Sequence, residues 1–280
     1  MDPLLRVAVT RSSAFGKQVE VINVVQSEPF FNVVTESSSV FFAPHFTGRV
    51  RCGSKFIESN GQEVAAYLGK GFPLVIDAPE MQTFWLVHIH DDEHHGNVLP
   101  IQPPEAQAAS ETMSFFKLHS GEDFLTANLM HQFATGALPQ PLLESFLREL
   151  PSQLEPCENL PASGNRRLAE KLRLKIIETE DKQINLKEIA DELECHPSQL
   201  SREFRRLFGM APYKFSFLLR LAKTKDWLRR GQNLADVALN FEFSDQSHFT
   251  RAFRQVYQMT PNHYRNLYKE SWEQNAKSAL

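Results

Sequence analysis

No run of about 18 apolar residues occurs anywhere in this sequence, and a helix needs about 20 to cross a bilayer. The first residues, Met1-Asp2-Pro3-Leu4-Leu5-Arg6, lack the charged start, apolar core and cleavage site of a secretory leader. A cytoplasmic protein with no membrane partner is therefore expected. Cysteine is as sparse: Cys52, Cys157 and Cys195 are odd in number and far apart, which argues against a disulfide framework and against a C-x-x-C metal site. Reduced thiols are expected.

What is present is ordinary in amount and uneven in placement. The 280 residues, 42% hydrophobic and 23% charged, are enough for two domains with their own cores. Net charge is -4, but residues 161–280 hold 21 Lys/Arg against 15 Asp/Glu, net +6, while residues 1–160 hold 9 against 19, net -10. Such a split is expected when one half faces phosphates and the other does not.

The basic half contains an internal repeat. Leu200-Ser201-Arg202-Glu203-Phe204-Arg205 recurs 49 residues later as Phe249-Thr250-Arg251-Ala252-Phe253-Arg254, and Phe208, Met210, Pro212 and Phe215 recur as Tyr257, Met259, Pro261 and Tyr264. One unit was duplicated. In each copy the apolar residues fall at i, i+4, i+7 and i+8: Leu200, Phe204, Leu207 and Phe208, then Phe249, Phe253, Val256 and Tyr257. These rings are expected in the core of amphipathic helices.

The opposite stripes carry short hydrogen-bonding side chains beside arginines, a chemistry suited to base edges and phosphates. Base-facing candidates are Ser198, Gln199, Ser201 and Arg202 in the first copy and Gln246, Ser247, His248, Thr250 and Arg251 in the second. Arg205 and Arg254, one turn on, are expected to hold phosphates. A shorter helix precedes each copy, Leu186–Leu193 and Leu234–Phe241, and Ile189-Ala190 matches Val237-Ala238 at an offset of 48, so the second turn holds one residue more. Helix, turn, polar-faced helix is the helix-turn-helix plan, expected at about 186–208 and 234–257. Between them Pro212–Arg230 predicts one long helix, with Pro in the first turn and Gly231 past the end. Its roughly 19 residues would span about 28 Å, near the ~34 Å between successive major-groove faces. Because Gln199 answers to His248, the two faces differ, and one chain should read two unlike blocks of sequence.

These residues carry a resemblance. The run Ile184–Arg265 resembles the DNA-binding domain of the AraC/XylS family of bacterial transcription regulators, through Ala190, Leu200, Arg202-x-Phe204, Gly209-x-Ala211-Pro212, Arg220-Leu221, Phe243-Ser244-Asp245-Gln246-Ser247-His248-Phe249-x-Arg251-x-Phe253 and Thr260-Pro261-x-x-Tyr264-Arg265. Three positions depart from the family pattern: Glu242 and Gln258 stand where glycine is usual, and Thr224 where alanine is usual. Glycine after a helix accepts the left-handed conformation, so Gln258 implies either a cost of about 1 kcal/mol or a different turn.

The acidic half has a β texture from Gln18 to Ile89. Candidate strands are Gln18–Val25, Ser39–Phe42, Gly48–Cys52, Lys55–Glu58, Glu63–Tyr67, Leu74–Asp77 and Phe84–Ile89, broken at Pro44, Asn60-Gly61, Gly69-Lys70-Gly71 and Pro79. Asn60-Gly61 predicts a hairpin turn. Short antiparallel strands predict a small barrel or sandwich, and Gly69-x-Gly71-x-x-Leu74-Val75-Ile76-Asp77-x-Pro79 resembles the cupin-like effector domain of the same family. The expected layout is a barrel over about 18–95 able to hold one small organic effector, with no cofactor and no catalytic or metal-ligating residue assigned.

In His88-Ile89-His90-Asp91-Asp92-Glu93-His94-His95, His88 and His90 fall on one side of a strand and with a carboxylate or another histidine could form a metal site; a strand running out into a solvated loop is the preferred reading. Pro100–Thr112 reads as a surface connector. Two amphipathic stretches follow within about 122–150, one through Phe124, Leu125, Leu129 and Phe133, the other through Leu142, Leu143, Phe146, Leu147 and Leu150. Either could cover the barrel, or, as the resemblance implies, serve as dimerisation helices. Pro151–Gly164 lacks periodicity and is expected to mark the boundary between a 1–160 domain and a 161–280 domain. A helix capped by Ser163 or Asn165, with Leu168, Leu172 and Ile176 on its inner face, is expected to pack on the first helix-turn-helix, and Asn262–Trp272 to form a last helix.

The expected fold is thus α+β and multidomain: an N-terminal cupin-like β-barrel with dimerisation helices, then an all-α domain with two helix-turn-helix motifs joined by a long helix. The expected function is a sequence-specific transcription regulator, an activator, controlled by a small-molecule effector. The resemblance implies promoter DNA, RNA polymerase and a second copy of the chain as partners. The competing readings are an enzyme, either a metal-dependent cupin through His88 and His90 or a DNA-alkyl-accepting repair protein through Cys52 beside Arg49 and Arg51, and an architectural DNA binder without sequence preference. Two unlike polar faces and a separate acidic domain stand against the architectural binder, and a regulator without enzymatic activity is the expected reading.

Overall fold

A computed structural model of the chain describes residues 6–14, 17–26, 30–53, 55–79, 82–90, 113–118, 140–156, 165–179 and 183–269. The chain divides into two compact units, Met1–Pro161 and Ala162–Leu280. The first is β-rich and the second is helical.

In the first unit the strands are β1 (Arg6–Ala14), β2 (Lys17–Gln26), β3 (Phe30–Val34), β4 (Ser38–Cys52), β5 (Lys55–Leu68), β6 (Pro73–Asp77), β7 (Gln82–His90) and β8 (Met113–Leu118). Helix α1 (Gln140–Gln153) and the short β9 (Leu154–Pro156) complete it. Every pairing is antiparallel, in the order β1-β2-β7-β4-β5-β8-β9, with β3 and β6 attached to the side. β4 is the hub: along one edge it pairs β7 through Ser38–Phe42 and then β6 through Arg49–Arg51, so the sheet folds back on itself midway along β4. The register shifts between Ala43 and Thr47, around Pro44, which has no N–H to give a ladder. Gly48, at φ 136°, lets the backbone close on β6: an added Cβ would stand 2.4 Å from the Asp77 carbonyl oxygen.

Alternation sorts the strands' two faces. Ile22 and Val24 of β2, Phe41 and Ala43 of β4, Phe84 and Leu86 of β7 and Leu74 and Ile76 of β6 meet in one buried cluster. The other face of the same strands is apolar too, with Val40, Phe42, Trp85, Val87 and Ile89 buried, because α1 lies over it. Phe146 meets the Phe42 ring edge-on at 5.9 Å, and Leu143 and Leu147 are fully buried.

Several expectations change at this point. Asn60-Gly61 is not a hairpin turn, since β5 runs through it and pairing jumps from Thr47↔Asn60 to Phe46↔Gln62, leaving Gly61 at φ 83° as an extra residue in a bulge. The turn lies earlier, where Cys52 pairs Lys55 and Gly53 takes φ 58°. Ser39–Phe42 and Gly48–Cys52 are two halves of one strand, as are Lys55–Glu58 and Glu63–Tyr67. The sheet also reaches beyond 18–95, from β1 to β9. The first six residues of the expected linker Pro151–Gly164 are structured, Pro151–Gln153 ending α1 and Leu154–Pro156 forming β9, and residues 157–164 lie outside the described residues. The connector 100–112 and the stretch Phe124–Phe133 lie outside the described residues.

The second unit has α2 (Arg166–Glu178), α3 (Leu186–Glu192), α4 (Pro197–Phe208), α5 (Pro212–Arg229), α6 (Leu234–Asn240), α7 (Gln246–Tyr257) and α8 (Pro261–Asn266). Asn165 caps α2, its side chain accepting the Leu168 N–H at 3.0 Å, and its own backbone N–H donates to Glu203 of α4 at 3.0 Å. Leu168, Leu172 and Ile176 are buried. The last helix is shorter than the expected Asn262–Trp272: it ends at Asn266, and residues from 270 on lie outside the described set.

Helix α5 belongs to two cores. Near its start Phe215 meets Phe204 and Phe208 of α4, with ring centroids 5.3 and 6.3 Å apart. Toward its end Leu221 and Leu228 join Val237, Phe241, Phe249, Phe253 and Tyr264 around α6, α7 and α8. Lys225, 1% exposed, has its ammonium 5.4 Å from the Tyr257 ring centre and 5.7 Å from that of Tyr264, a cation over aromatic faces. Thr224, in the place of the usual alanine, is fully buried and donates its hydroxyl to the Leu221 carbonyl at 2.6 Å. No helix among the described residues is long and apolar enough to cross a membrane.

Candidate nucleic-acid interface

Two helix pairs present the repeated polar stripes. α3 and α4 form one, α6 and α7 the other. The helices of each pair are joined through a residue in the left-handed region, Glu194 at φ 50° and Glu242 at φ 51°. The hydrogen bonds match as well: Cys195 N–H reaches the Ala190 carbonyl at 3.0 Å and Phe243 N–H the Ala238 carbonyl at 2.9 Å, while Glu194 and Glu242 each bond the carbonyl three residues back at 3.1 Å. This is the pattern by which a helix ending satisfies its last carbonyls, normally with glycine in the left-handed place. Residues 193–196 link the first pair and residues 241–245 the second, so the extra residue expected in the second turn is there.

Each polar-faced helix is 12 residues long and starts on a side-chain cap. For α4 the cap is His196, whose Nδ1 accepts the Ser198 N–H at 3.2 Å and lies 2.7 Å from the Ser198 hydroxyl, with Pro197 in the first turn. For α7 it is Asp245, which accepts the His248 N–H at 2.7 Å. That bond holds the Asp245 carboxyl below its ordinary range against desolvation in the other direction, with lesser help from Ser244 and Ser247 and the charge of Arg251. Both helices end in the left-handed region, on Gly209 at φ 73° and on Gln258 at φ 54°. The turn at Gln258 is therefore the same turn made without glycine.

On α4, Ser198, Gln199, Arg202 and Arg205 are exposed and Ser201 is half-buried. The Arg202 side chain is 74% exposed, with only a long 3.8 Å approach to Glu203. Glu203 is directed inward, where it holds Arg206 at 2.9 Å as well as the start of α2. Ser198, Ser201, Arg202, Arg205 and Arg206 line an open hollow of about 480 Å³. Arg206 had escaped the sequence reading, although its place four residues after Arg202 puts it on the same helix face.

On α7, Gln246, Ser247, Arg251 and Arg254 are exposed, and His248 and Thr250 are half-buried. His248 is partly committed to the turn: its Nδ1 lies 3.1 Å from the Ser244 hydroxyl and its ring stands edge-on to Phe243 at 5.6 Å. No ion pair involves Arg205, Arg251 or Arg254 among the described residues, so these cations face solvent. Beneath the second turn, the buried guanidinium of Arg220 lies 5.2 Å from the Phe243 ring centre. Desolvation lowers its pKa and the nearby charge of Glu242 opposes that. Glu242 also accepts the Gln183 N–H at 2.7 Å, tying the second turn to the segment ahead of α3.

The β-rich unit bears on the enzyme alternatives. Cys52 is fully buried, and its neighbour Arg49 is paired with Glu58 and stacked over Phe56, so no accessible thiolate in a basic setting exists there. His88 and His90 do share one face of β7, their rings stacked with centroids 6.5 Å apart.

Comparison with known proteins agrees with the helical geometry. The family described as helix-turn-helix domain matches residues 189–267. The chain is 29% identical over 136 residues to the HTH-type transcriptional regulator MtrA of Neisseria gonorrhoeae, covering 46% of this chain and 44% of that protein. It is 30% identical over 112 residues to the HTH-type transcriptional activator RhaS of Escherichia coli O157:H7, covering 39% and 38%. The chain thus spans less than half the length of these curated relatives. Among solved structures, ToxT from Vibrio cholerae aligns over 93% of this chain and 97% of its own at 14% identity, with a TM-score of 0.46. Residues 189–267 of the second unit are thus a helix-turn-helix domain, in a stretch that is similar to the transcription regulators MtrA and RhaS.

Proposed function

We propose that this chain is a sequence-specific regulator of transcription that reads promoter DNA with α4 and α7 and answers to a small molecule held by its β-rich unit. The observation that carries the reading is the pair of solvent-facing stripes, Ser198, Gln199, Ser201, Arg202 and Arg205 on α4 and Gln246, Ser247, His248, Thr250, Arg251 and Arg254 on α7, repeated in register on helices with matching caps and turns. Base contacts fall to the residues of the first two turns and phosphate contacts to Arg205 and Arg254.

Helix α5 is the spacer. Its 18 residues span about 27 Å, and because its two ends are buried in separate cores it holds the readers at a fixed separation, close to the ~34 Å repeat of the major groove. The DNA site is then two unlike blocks on one face of the duplex. The β-rich unit closes as a cupin-like barrel in this reading, and an effector inside it changes how two chains present their readers. The face of α1 that carries Leu143, Phe146 and Leu147 covers the chain's own sheet, so a second copy meets the protein elsewhere. Activation through RNA polymerase in the cytoplasm completes the proposal.

Footprinting of the full chain on genomic fragments tests it. The expected result is protection of two blocks about one helical turn apart, resistant to excess unrelated DNA at fixed salt. Binding that unrelated DNA competes away equally well would leave only a nonspecific DNA binder.

A further inference from the structure

The alternation that fills the folded sheet with Ile22, Val24, Phe41, Phe84 and Leu86 continues to the strand ends, and there it places polar side chains on the same inner face. Glu20 follows from Ile22 on β2, Ser39 from Phe41 on β4, and His88 and His90 from Leu86 on β7. The register sets Glu20 and Ser39 on either side of His88. Glu20 and Ser39 have no exposed surface, His88 is 1% exposed, and Glu36, in the turn between β3 and β4, is 9% exposed. Glutamate at such a depth is rare unless a proton or a cation accompanies it.

The geometry points to a divalent metal site built by Glu20, Glu36 and His90. One ligand atom from each lies within 4.8 Å of the others, and the three come from β2, the β3–β4 turn and β7. Ligand atoms around one tetrahedral ion at about 2.0–2.2 Å stand ~3.3–3.6 Å apart, so closing on an ion takes a contraction of at most about 1.5 Å. The donors are two carboxylates and one imidazole with no thiolate, a set suited to a first-row ion such as Mn²⁺, Fe²⁺, Co²⁺, Ni²⁺ or Zn²⁺ rather than to Cu⁺. Two carboxylates and a neutral imidazole carry a charge of -2, which one such ion cancels inside the fold.

His88 positions the site. The Ser39 hydroxyl donates to the Ser37 carbonyl at 2.9 Å, so toward the His88 Nδ1, 2.6 Å away, it accepts, and the ring is held in one orientation. The His90 ring stacks on that fixed ring. An ion here would join the end of β2, the β3–β4 turn and the end of β7 at a single point. Where the reading under Proposed function holds, the metal ion is the effector or the clamp that shapes its pocket, and DNA affinity follows its occupancy.

The test uses the full chain, stripped with a chelator and titrated with Co²⁺ without DNA, so it stands or fails apart from the DNA-binding reading. One Co²⁺ per chain is expected, with a visible spectrum that Zn²⁺ abolishes by competition. Glu20→Gln, Glu36→Gln and His90→Gln should each weaken binding by about 100-fold or more, and Ser39→Ala by ~10-fold through the positioning of His88. The far-ultraviolet spectra of the stripped variants check that they fold. His94→Ala with His95→Ala should leave affinity unchanged. Failure of the stripped wild type to take up stoichiometric Co²⁺ would overturn the site without recourse to any variant. So would uptake that survives Glu20→Gln and Glu36→Gln but is lost with His94 and His95, and a buried Glu–His ion pair would then account for the cluster.

Discussion

The two helix-turn-helix copies differ most where the backbone is most constrained. The first ends its reading helix on Gly209 and the second on Gln258, yet both take the left-handed conformation, and both inter-helix turns pass through a glutamate at nearly the same φ. The duplicated unit thus keeps its backbone conformation where the side chain has ceased to favour it. Packing explains why. Each copy sets a phenylalanine ladder against α5 or α8, Phe204, Phe208 and Phe215 in one and Phe253, Tyr257 and Tyr264 in the other, with centroid separations of 4.6 Å between the first two rings of each. Burying such rings contributes several kcal/mol per copy, more than the roughly 1–2 kcal/mol at which a left-handed non-glycine residue is disfavoured.

The largest effects should come from those ladders. Phe204→Ala and Phe253→Ala, both at fully buried rings, should each lower stability by about 3–5 kcal/mol in urea unfolding of the full chain. Losses of unlike size would mean that the two cores are not equivalent.

Next in size are the reading faces. Arg202→Ala and Arg251→Ala should each reduce affinity for a specific site by roughly 1–3 kcal/mol while nonspecific binding falls less. Equal loss on all sequences in a competition assay would make either arginine a phosphate contact. Because His248 is partly held by Ser244 and Phe243 whereas Gln199 is exposed, Gln199→Ala should alter sequence preference more than His248→Ala does.

The turns give smaller and opposite changes. Gly209→Ala should destabilise by about 1 kcal/mol and Gln258→Gly should stabilise by roughly 0.5–1 kcal/mol, read as shifts in thermal midpoint. A Gln258→Gly protein no more stable than the original would mean that the Gln258 side chain, which donates to the Gln255 carbonyl at 2.9 Å, offsets the strain. Glu242→Gly should gain less than Gln258→Gly because it gives up the bond from Gln183.

The smallest expected effect separates the caps. The Asp245 carboxyl is held below its ordinary value by the His248 N–H, so its contribution is fully present above the unfolded carboxylate pKa and is lost as pH falls through the lowered folded value. Asp245→Ala should therefore lower the melting temperature at neutral pH and make no difference in strong acid. A difference that persists in acid would assign the effect to packing.

Much of the helical unit was legible because its information is local. Helix period and caps act within a few residues, the 49-residue repeat is read directly along the chain, and Asn165, Pro212 and Gly209 mark helix ends by chemistry that acts within one turn. Glu194 was not legible as a turn residue, since nothing distinguishes a glutamate forced to positive φ from one on a helix surface until Cys195 is seen bonding back to Ala190. In the β-rich unit local signals misled. Asn60-Gly61 has the residues of a hairpin, but pairing with β4 on both sides of it carries the strand through, and the glycine's freedom is used in a bulge instead.

The sequence by itself determined that a basic helical half repeats one polar-faced unit and that an acidic half is made of strands, because periodicity and charge are properties of neighbouring residues. Only the tertiary structure decided that β4 serves two edges of a folded sheet, that α1 covers it, and that Glu20, Glu36 and His90 converge. Strand pairing brings together residues distant in the chain, as it does Glu20, Glu36 and His90, 16 to 70 positions apart, and no local pattern encodes which of them will meet.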